Sequence, residues 1–219
     1  MSARDEVLAR VRSALGPTPA VPDVPRGYRR VGEHEPGSDA LVEQLVDRLE
    51  DYRATVVRCG ADDGSVRDAV AAAVTEALSR KQTGGDVSAT SALVHAPGLP
   101  AAWVEGLASR PDDGTLSAHD LDTVPAVVTA SVLAVSETGT VVLDGSPACG
   151  RRALTLVPDV HVCVLRTADV VQTVPEALGR LDPTRPLTFV SGPSATSDIE
   201  LNRVEGVHGP RTLVVVLAG

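Results

Sequence analysis

Leu213-Val214-Val215-Val216-Leu217, five apolar residues in unbroken succession near the end of the chain, is the stretch that decides the fold. A strand with one wet face alternates apolar and polar residues. An unbroken, largely β-branched run reads instead as a strand covered on both faces, the condition of a parallel sheet packed between layers. Leu187 to Val190 is read in the same way, and Val160 to Leu165 as a further strand. Ala54 to Val57, Ser91 to Ala96 and the β-rich segment Val124–Leu143, interrupted at Ser136–Gly139, extend the set.

Helical patterns stand between these runs. Leu41, Val42, Leu45, Val46 and Leu49 repeat at helical spacing, with Ser38 placed to cap them. Val66, Ala69, Val70, Ala73, Val74, Ala77 and Leu78 form a longer stripe. Asp62 and Asp63 stand in front of it and Arg80 and Lys81 at its end, an order that suits the helix dipole. Thr173 and Glu176 make a capping box around Pro175. Shorter helices are expected from Pro100, carrying Trp103 and Leu107, and over Arg151–Leu156. Strands alternating with amphipathic helices imply an α/β fold, a three-layer α/β/α arrangement around a mainly parallel sheet. Ligands are then expected beyond the carboxyl ends of the strands.

Two units are read along the chain. Residues 1–37 comprise a helix and a linker. Ser2 and Asp5 form a capping box, Val7, Leu8, Val11, Ala14 and Leu15 make one apolar stripe, and Gly16 and Pro17 stop the helix. That stripe is expected to pack on its own domain. Pro17, Pro19, Pro22, Pro25 and Pro36 then describe an extended linker. Residues 38–219 form the α/β domain.

Composition removes several classes of function. The net charge is −9, Lys81 is the sole lysine, and Trp103, Tyr28, Tyr52 and Phe189 are the only aromatics. A nucleic-acid surface needs clustered positive charge and stacking rings, so no nucleic-acid partner is expected. Cys59, Cys149 and Cys163 lie far apart and cannot supply the four thiolates of an iron–sulfur cluster or a Cys₄ zinc site. No apolar stretch reaches the roughly 20 residues that span a bilayer, and the charged N-terminus does not read as a signal peptide. A cytoplasmic protein is expected.

Three loops carry unusual residues. Ser136-Glu137-Thr138-Gly139-Thr140 places a carboxylate between two apolar strands, where it must sit at a turn or bear a desolvation penalty. It reads either as a displayed nucleophile or base, or as a hairpin turn with a solvated Glu. Ser191-Gly192-Pro193-Ser194-Ala195-Thr196-Ser197-Asp198-Ile199-Glu200 follows a strand and is read as entering a helix at Ser194–Ser197. Its small residues, hydroxyls and N–H groups suit an anion, or simply a well-capped helix. Gly206-Val207-His208-Gly209-Pro210-Arg211 precedes the last strand. There Arg211 is read as pairing with Asp198 or Glu200, or with a ligand carboxylate or phosphate. His161 and the Arg151–Arg152 pair read as structural and surface residues.

Taken in order, these loops resemble the LUD-domain family, in its lactate-utilisation protein C group. The resemblance runs through Ala134–Leu143, Arg151–Arg152, Leu156–His161, Val174–Leu178, Ser191–Ser194, Ser197–Glu200 and Gly206–Arg211. It implies a NagB/RpiA/CoA-transferase-like fold. It also implies membership of a three-protein system oxidising L-lactate to pyruvate, with the clusters in two iron–sulfur partners and no cofactor on this chain. Ser136-Glu137-Thr138-Gly139 looks like the Ser-Glu-Asn-Gly element of CoA-transferases, which makes Glu137 the candidate catalytic residue. Thr138, Gly139, Thr140, Gly192, Ser194, Thr196, Asp198, His208 and Arg211 are the candidate substrate or anion contacts. A free-standing enzyme on an acyl-CoA, sugar phosphate or folate-like substrate, and a metabolite-sensing scaffold, are the competing readings. Self-association is left open.

Overall fold

The computed structural model describes residues 2–17, 23–82, 92–196, 204–205 and 209–219. The helices are α1 (Ala3–Leu15), α2 (Asp39–Asp51), α3 (Asp63–Gln82), α4 (Ala118–Asp122) and α5 (Val174–Arg180). The strands are β1 (Thr55–Cys59), β2 (Leu93–His95), β3 (Ser109–Pro111), β4 (Val127–Ala130), β5 (Leu133–Val135) and β6 (Thr140–Leu143). They continue with β7 (Val160–Arg166), β8 (Val170–Val171), β9 (Thr188–Val190), β10 (Ala195–Thr196), β11 (Val204–Glu205) and β12 (Thr212–Ala218).

Six strands form the main sheet in the order β1-β12-β7-β4-β2-β3, and every neighbouring pair is parallel. The unbroken run Leu213–Leu217 sits inside it as β12, and its side chains divide by parity. Val214 and Val216 join the apolar stripe of α3, Val66, Val70 and Val74, on one face. Leu213, Val215 and Leu217 join Leu41, Leu45 and Leu49 of α2 on the other. This is the two-sided burial that the run demanded. The fold is α/β with a large parallel sheet between helical layers.

A second sheet, β8-β5-β6-β9, adds to the α2 side. β5 and β6 form an antiparallel hairpin with Val135 opposite Thr140, and β9 continues it antiparallel, Val141 facing Val190. Ala134, Val141 and Leu143 pack toward α2. Leu133, Val135 and Val142 pack the other way, with Val171 and Ala177 of α5.

Four expectations change. Leu187–Val190 is the edge of this smaller sheet rather than a strand covered twice, and Phe189 is 44% exposed. Arg151–Leu156 forms successive turns, not a helix. The segment after Ser194 enters the short strand β10, paired antiparallel with β11, and does not open a helix. The stripe of α1 does not pack on the domain: the Ser2–Asp5 capping box forms, but no residue of α1 is buried, and Val7, Val11 and Leu15 lie open. The helix is fixed by its cap and local hydrogen bonds, and its apolar side has no intramolecular cover among the described residues.

The part of the linker nearest the domain is fastened to it. Gly37 N–H donates to the Val170 carbonyl at 2.8 Å, and residues 29–34 reach the site described below.

Removing side-chain volume from the centre of the sheet tests this architecture. Leu217→Ala leaves a cavity between β12 and α2 and is expected to lower unfolding free energy by about 2–5 kcal/mol, measured by denaturant titration.

Candidate functional site

The β5–β6 connection is a tight turn whose shape is dictated by what lies under it. Gly139 has φ +58°, and a Cβ there would meet Arg48 Cβ at 2.7 Å and the Arg48 backbone, so the turn lies flat on the last turn of α2. Ser136, fully buried, donates through Oγ to Gln44 Oε1 at 2.7 Å. A chain of hydroxyls leaves the turn: Thr138 Oγ1 and Thr140 Oγ1 are 2.7 Å apart, as are Thr140 Oγ1 and Ser191 Oγ. The hydroxyls that sequence grouped with Glu137 therefore join the turn to the loop after β9.

Glu137 itself points the other way. Arg29 Nη2 lies 2.6 Å from both of its carboxylate oxygens, and Gln172 Nε2 donates to Oε1 at 3.2 Å. The arginine belongs to the Pro-rich segment, which crosses this surface as a strap. Gln172 Oε1 accepts the N–H groups of Glu33 and His34 at 2.6 and 3.1 Å, while Glu176 Oε1 accepts that of Gly32 at 3.0 Å. Gly32 is required by the closeness of this contact, since a Cβ there would stand 2.6 Å from Gln172 Cβ. Burial pushes the Glu176 carboxyl upward, but the N–H groups of Gly32, Thr173 and Gln172 outweigh it and hold the group below its usual range. With Arg29 in place the Glu137 carboxylate is neutralised, so nucleophilic attack by it requires the strap to lift away.

The other two loops meet elsewhere. Gly192 has φ +78°, and a Cβ there would meet Tyr52 Cβ at 2.6 Å, which seats the loop on the C-terminal end of α2. Ser194 N–H donates to the Pro210 carbonyl at 2.8 Å, tying the loop to the segment before β12. Between them opens a cleft of about 220 Å³ lined by Arg152, Thr155, His161, Ser191, Gly192 and Ser194, with Gly209 and Pro210 at its edge. Arg211 lies outside this lining, largely exposed and 3.8 Å from Asp159. Thr196 falls in β10, while Asp198 and His208 lie outside the described residues.

The cleft sits at the amino ends of β7 and β12, not beyond the carboxyl ends where ligands were expected. His161 is the second residue of β7, and Leu213, also lining the cleft, is the second of β12. The added sheet accounts for the shift, because β9 ends there and sends the 191–194 loop over the amino edge.

Two lining residues were read from sequence as structural. His161, 1% exposed, engages Thr129 Oγ1 through Nε2 at 2.8 Å, and burial, with help from the Arg152 charge, pushes its pKa down to about 4. The ring is neutral at physiological pH. Arg152 Nη1 donates to the carbonyl and Oγ1 of Thr155, at 3.2 and 3.1 Å. A signal for His161 was present: a histidine inside the apolar run Val160–Leu165 must find a partner or a cavity. Its neighbour Arg151 is engaged differently, with Nε and Nη2 on the buried Asp112 carboxylate at 2.7 and 3.1 Å.

Comparison with known proteins places these features. The family model described as the LUD domain matches residues 42–218. Lactate utilization protein C of Deinococcus radiodurans is 42% identical over 184 residues, 82% of this chain and 80% of the relative. Lactate utilization protein C of Bacillus subtilis is 31% identical over 98 residues, 41% of this chain and 40% of that protein. The crystal structure of a DUF162 family protein from Deinococcus radiodurans superposes with a TM-score of 0.63 at 34% identity, covering 82% of this chain and 97% of that one.

Two measurements probe the site. Folded His161 takes up a proton only near pH 4, whereas an unfolded histidine does so near 6.5, so the unfolded chain binds more protons between these values. Stability is therefore lost as pH falls from about 6.5 toward 4, by about 3 kcal/mol from this group. His161→Gln is expected to flatten that part of the stability–pH curve. For the strap, Gln172→Ala removes the acceptor of two N–H groups, each worth about 1 kcal/mol. Hydrogen exchange at residues 32–34 is expected to accelerate at least about ten-fold while exchange in β7 and β12 is unchanged.

Proposed function

Because this chain belongs to the LUD domain family, we propose that it acts in lactate utilisation, as the non-cluster component of a cytoplasmic three-protein system oxidising L-lactate to pyruvate. The observation that carries the proposal is the 42% identity, over four-fifths of both chains, to a lactate utilization protein C. In this reading two partner proteins hold the iron–sulfur clusters and this chain contributes a binding surface and a small-molecule cleft.

The number of cysteines is in keeping with that division: three thiols cannot supply the four of a cluster. Burial drives the Cys163 thiol up to about 12 and raises Cys149 as well, so both are inert as nucleophiles near neutral pH. Cys59 is raised by burial and by the nearby Asp62 charge. Glu137 serves in this reading as the anchor for Arg29 and the strap. No helix among the described residues is long and apolar enough to cross a membrane.

Deletion of the gene in a host with no other route for L-lactate is expected to abolish growth on L-lactate as sole carbon source, with growth on pyruvate intact. Affinity purification from lactate-grown cells should recover two proteins with iron–sulfur absorption. Normal growth on L-lactate after deletion overturns the proposal.

A further inference from the structure

We propose that the cleft at the amino ends of β7 and β12 binds a small monocarboxylate of the 2-hydroxy or 2-oxo acid class, with its carboxylate on Arg152 and its 2-oxygen on His161. The inference deepens the lactate-utilisation reading, on which the choice of probe rests, but the ligand class follows from the cleft itself.

Charge supplies the first element. The chain carries a net charge of −9, and Arg151, next in sequence, is paired with the Asp112 carboxylate. Arg152 has no carboxylate partner among the described residues. Its Nη1 is spent on Thr155, which holds the guanidinium at the cleft, and no other of its N–H groups bonds to a described residue. A planar fork of this kind matches a carboxylate.

The second element is independent of the first. His161 is 99% buried yet lines the cleft, and Thr129 engages its Nε2, leaving Nδ1 as the nitrogen for a ligand. A neutral imidazole offers one donor and one acceptor. When the Thr129 hydroxyl turns toward Cys163 Sγ, 3.8 Å away, His161 Nε2–H donates to Thr129, and Nδ1 accepts a hydrogen bond from a hydroxyl. When the Thr129 hydroxyl donates to Nε2, Nδ1–H donates to a carbonyl oxygen. One rotation of a buried hydroxyl thus fits the same pocket to a 2-hydroxy acid or to the corresponding 2-oxo acid.

Size is the third element. A volume of about 220 Å³ lies below the roughly 300–1,000 Å³ of sites for drug-sized ligands, which matches an acid of a few carbons. The inner cleft does not enclose an entire coenzyme A or folate, either of which would project into solvent.

The test uses the full chain with L-lactate, pyruvate and uncharged lactamide at millimolar concentration, followed by thermal shift and by ¹⁵N spectra of the histidine rings. L-lactate and pyruvate are expected to raise the melting temperature in a saturable way and lactamide to leave it unchanged. The His161 ring nitrogens should exchange donor and acceptor signatures between the two acids. Arg152→Gln is expected to weaken binding by at least about ten-fold. Because the three-ligand comparison needs only the unaltered protein, a variant that folds poorly does not block the test. Equal response to lactamide, binding unchanged by Arg152→Gln, or no response to either acid overturns the site. In the last case a growth defect on L-lactate would still uphold the functional assignment, so the two failures are separable.

Discussion

Covering both faces of one strand is the constraint on which everything else in this molecule depends. Thr212–Ala218 has parallel neighbours on each side, so its backbone is satisfied within the sheet, and its alternate side chains leave in opposite directions. Each direction needs its own apolar layer. The α3 stripe supplies one. The other is made by α2 together with the β5–β6 hairpin, whose Ala134, Val141 and Leu143 complete what one helix of 13 residues does not cover. The candidate site is a by-product of that second layer. Its hairpin turn and the loop after β9 both come to rest on the last turns of α2, and Gly139 and Gly192 are the residues whose missing side chains allow it.

Much of this was legible before any coordinates. A continuous apolar run marked β12, the stretch Val160–Leu165 was read as the strand that is β7, a period of 3.6 marked α2 and α3, and the Thr173–Glu176 box marked the start of α5. What escaped was set by partners distant in sequence. Leu187–Val190 has the composition of a core strand but only one neighbour, so its outer side chain Phe189 meets water. Arg151–Leu156 is helical in spacing, yet Arg151 is drawn to Asp112, 39 residues away, and the chain follows it in turns. The Ser136–Thr140 loop was picked out correctly as a turn. The direction of its carboxylate, however, depends on an arginine 108 residues earlier.

The same cause divides the candidate site in two. Sequence grouped Glu137 with the hydroxyls beside it, whereas in the turn each side chain follows its own partner, Arg29 and Gln172 for Glu137 and one another for the two threonines. Thr138 and Thr140 go to the 191–194 loop, and Glu137 goes to the strap. The cleft is consequently furnished by residues with no local motif: a histidine hidden in an apolar strand and an arginine beside a more conspicuous one.

The strap also governs the amino-terminal helix. Arg29 is pinned to the domain, and the 12 residues between it and Gly16 can extend to at most roughly 45 Å. α1, with an apolar side that no described residue covers, is thus held within that reach. A surface that covers this side of the helix therefore has to lie within that distance of Arg29. Glu137 is the outermost of the pegs, with Gln172 and Glu176 behind it, and its ion pair with Arg29 sets where the tether begins.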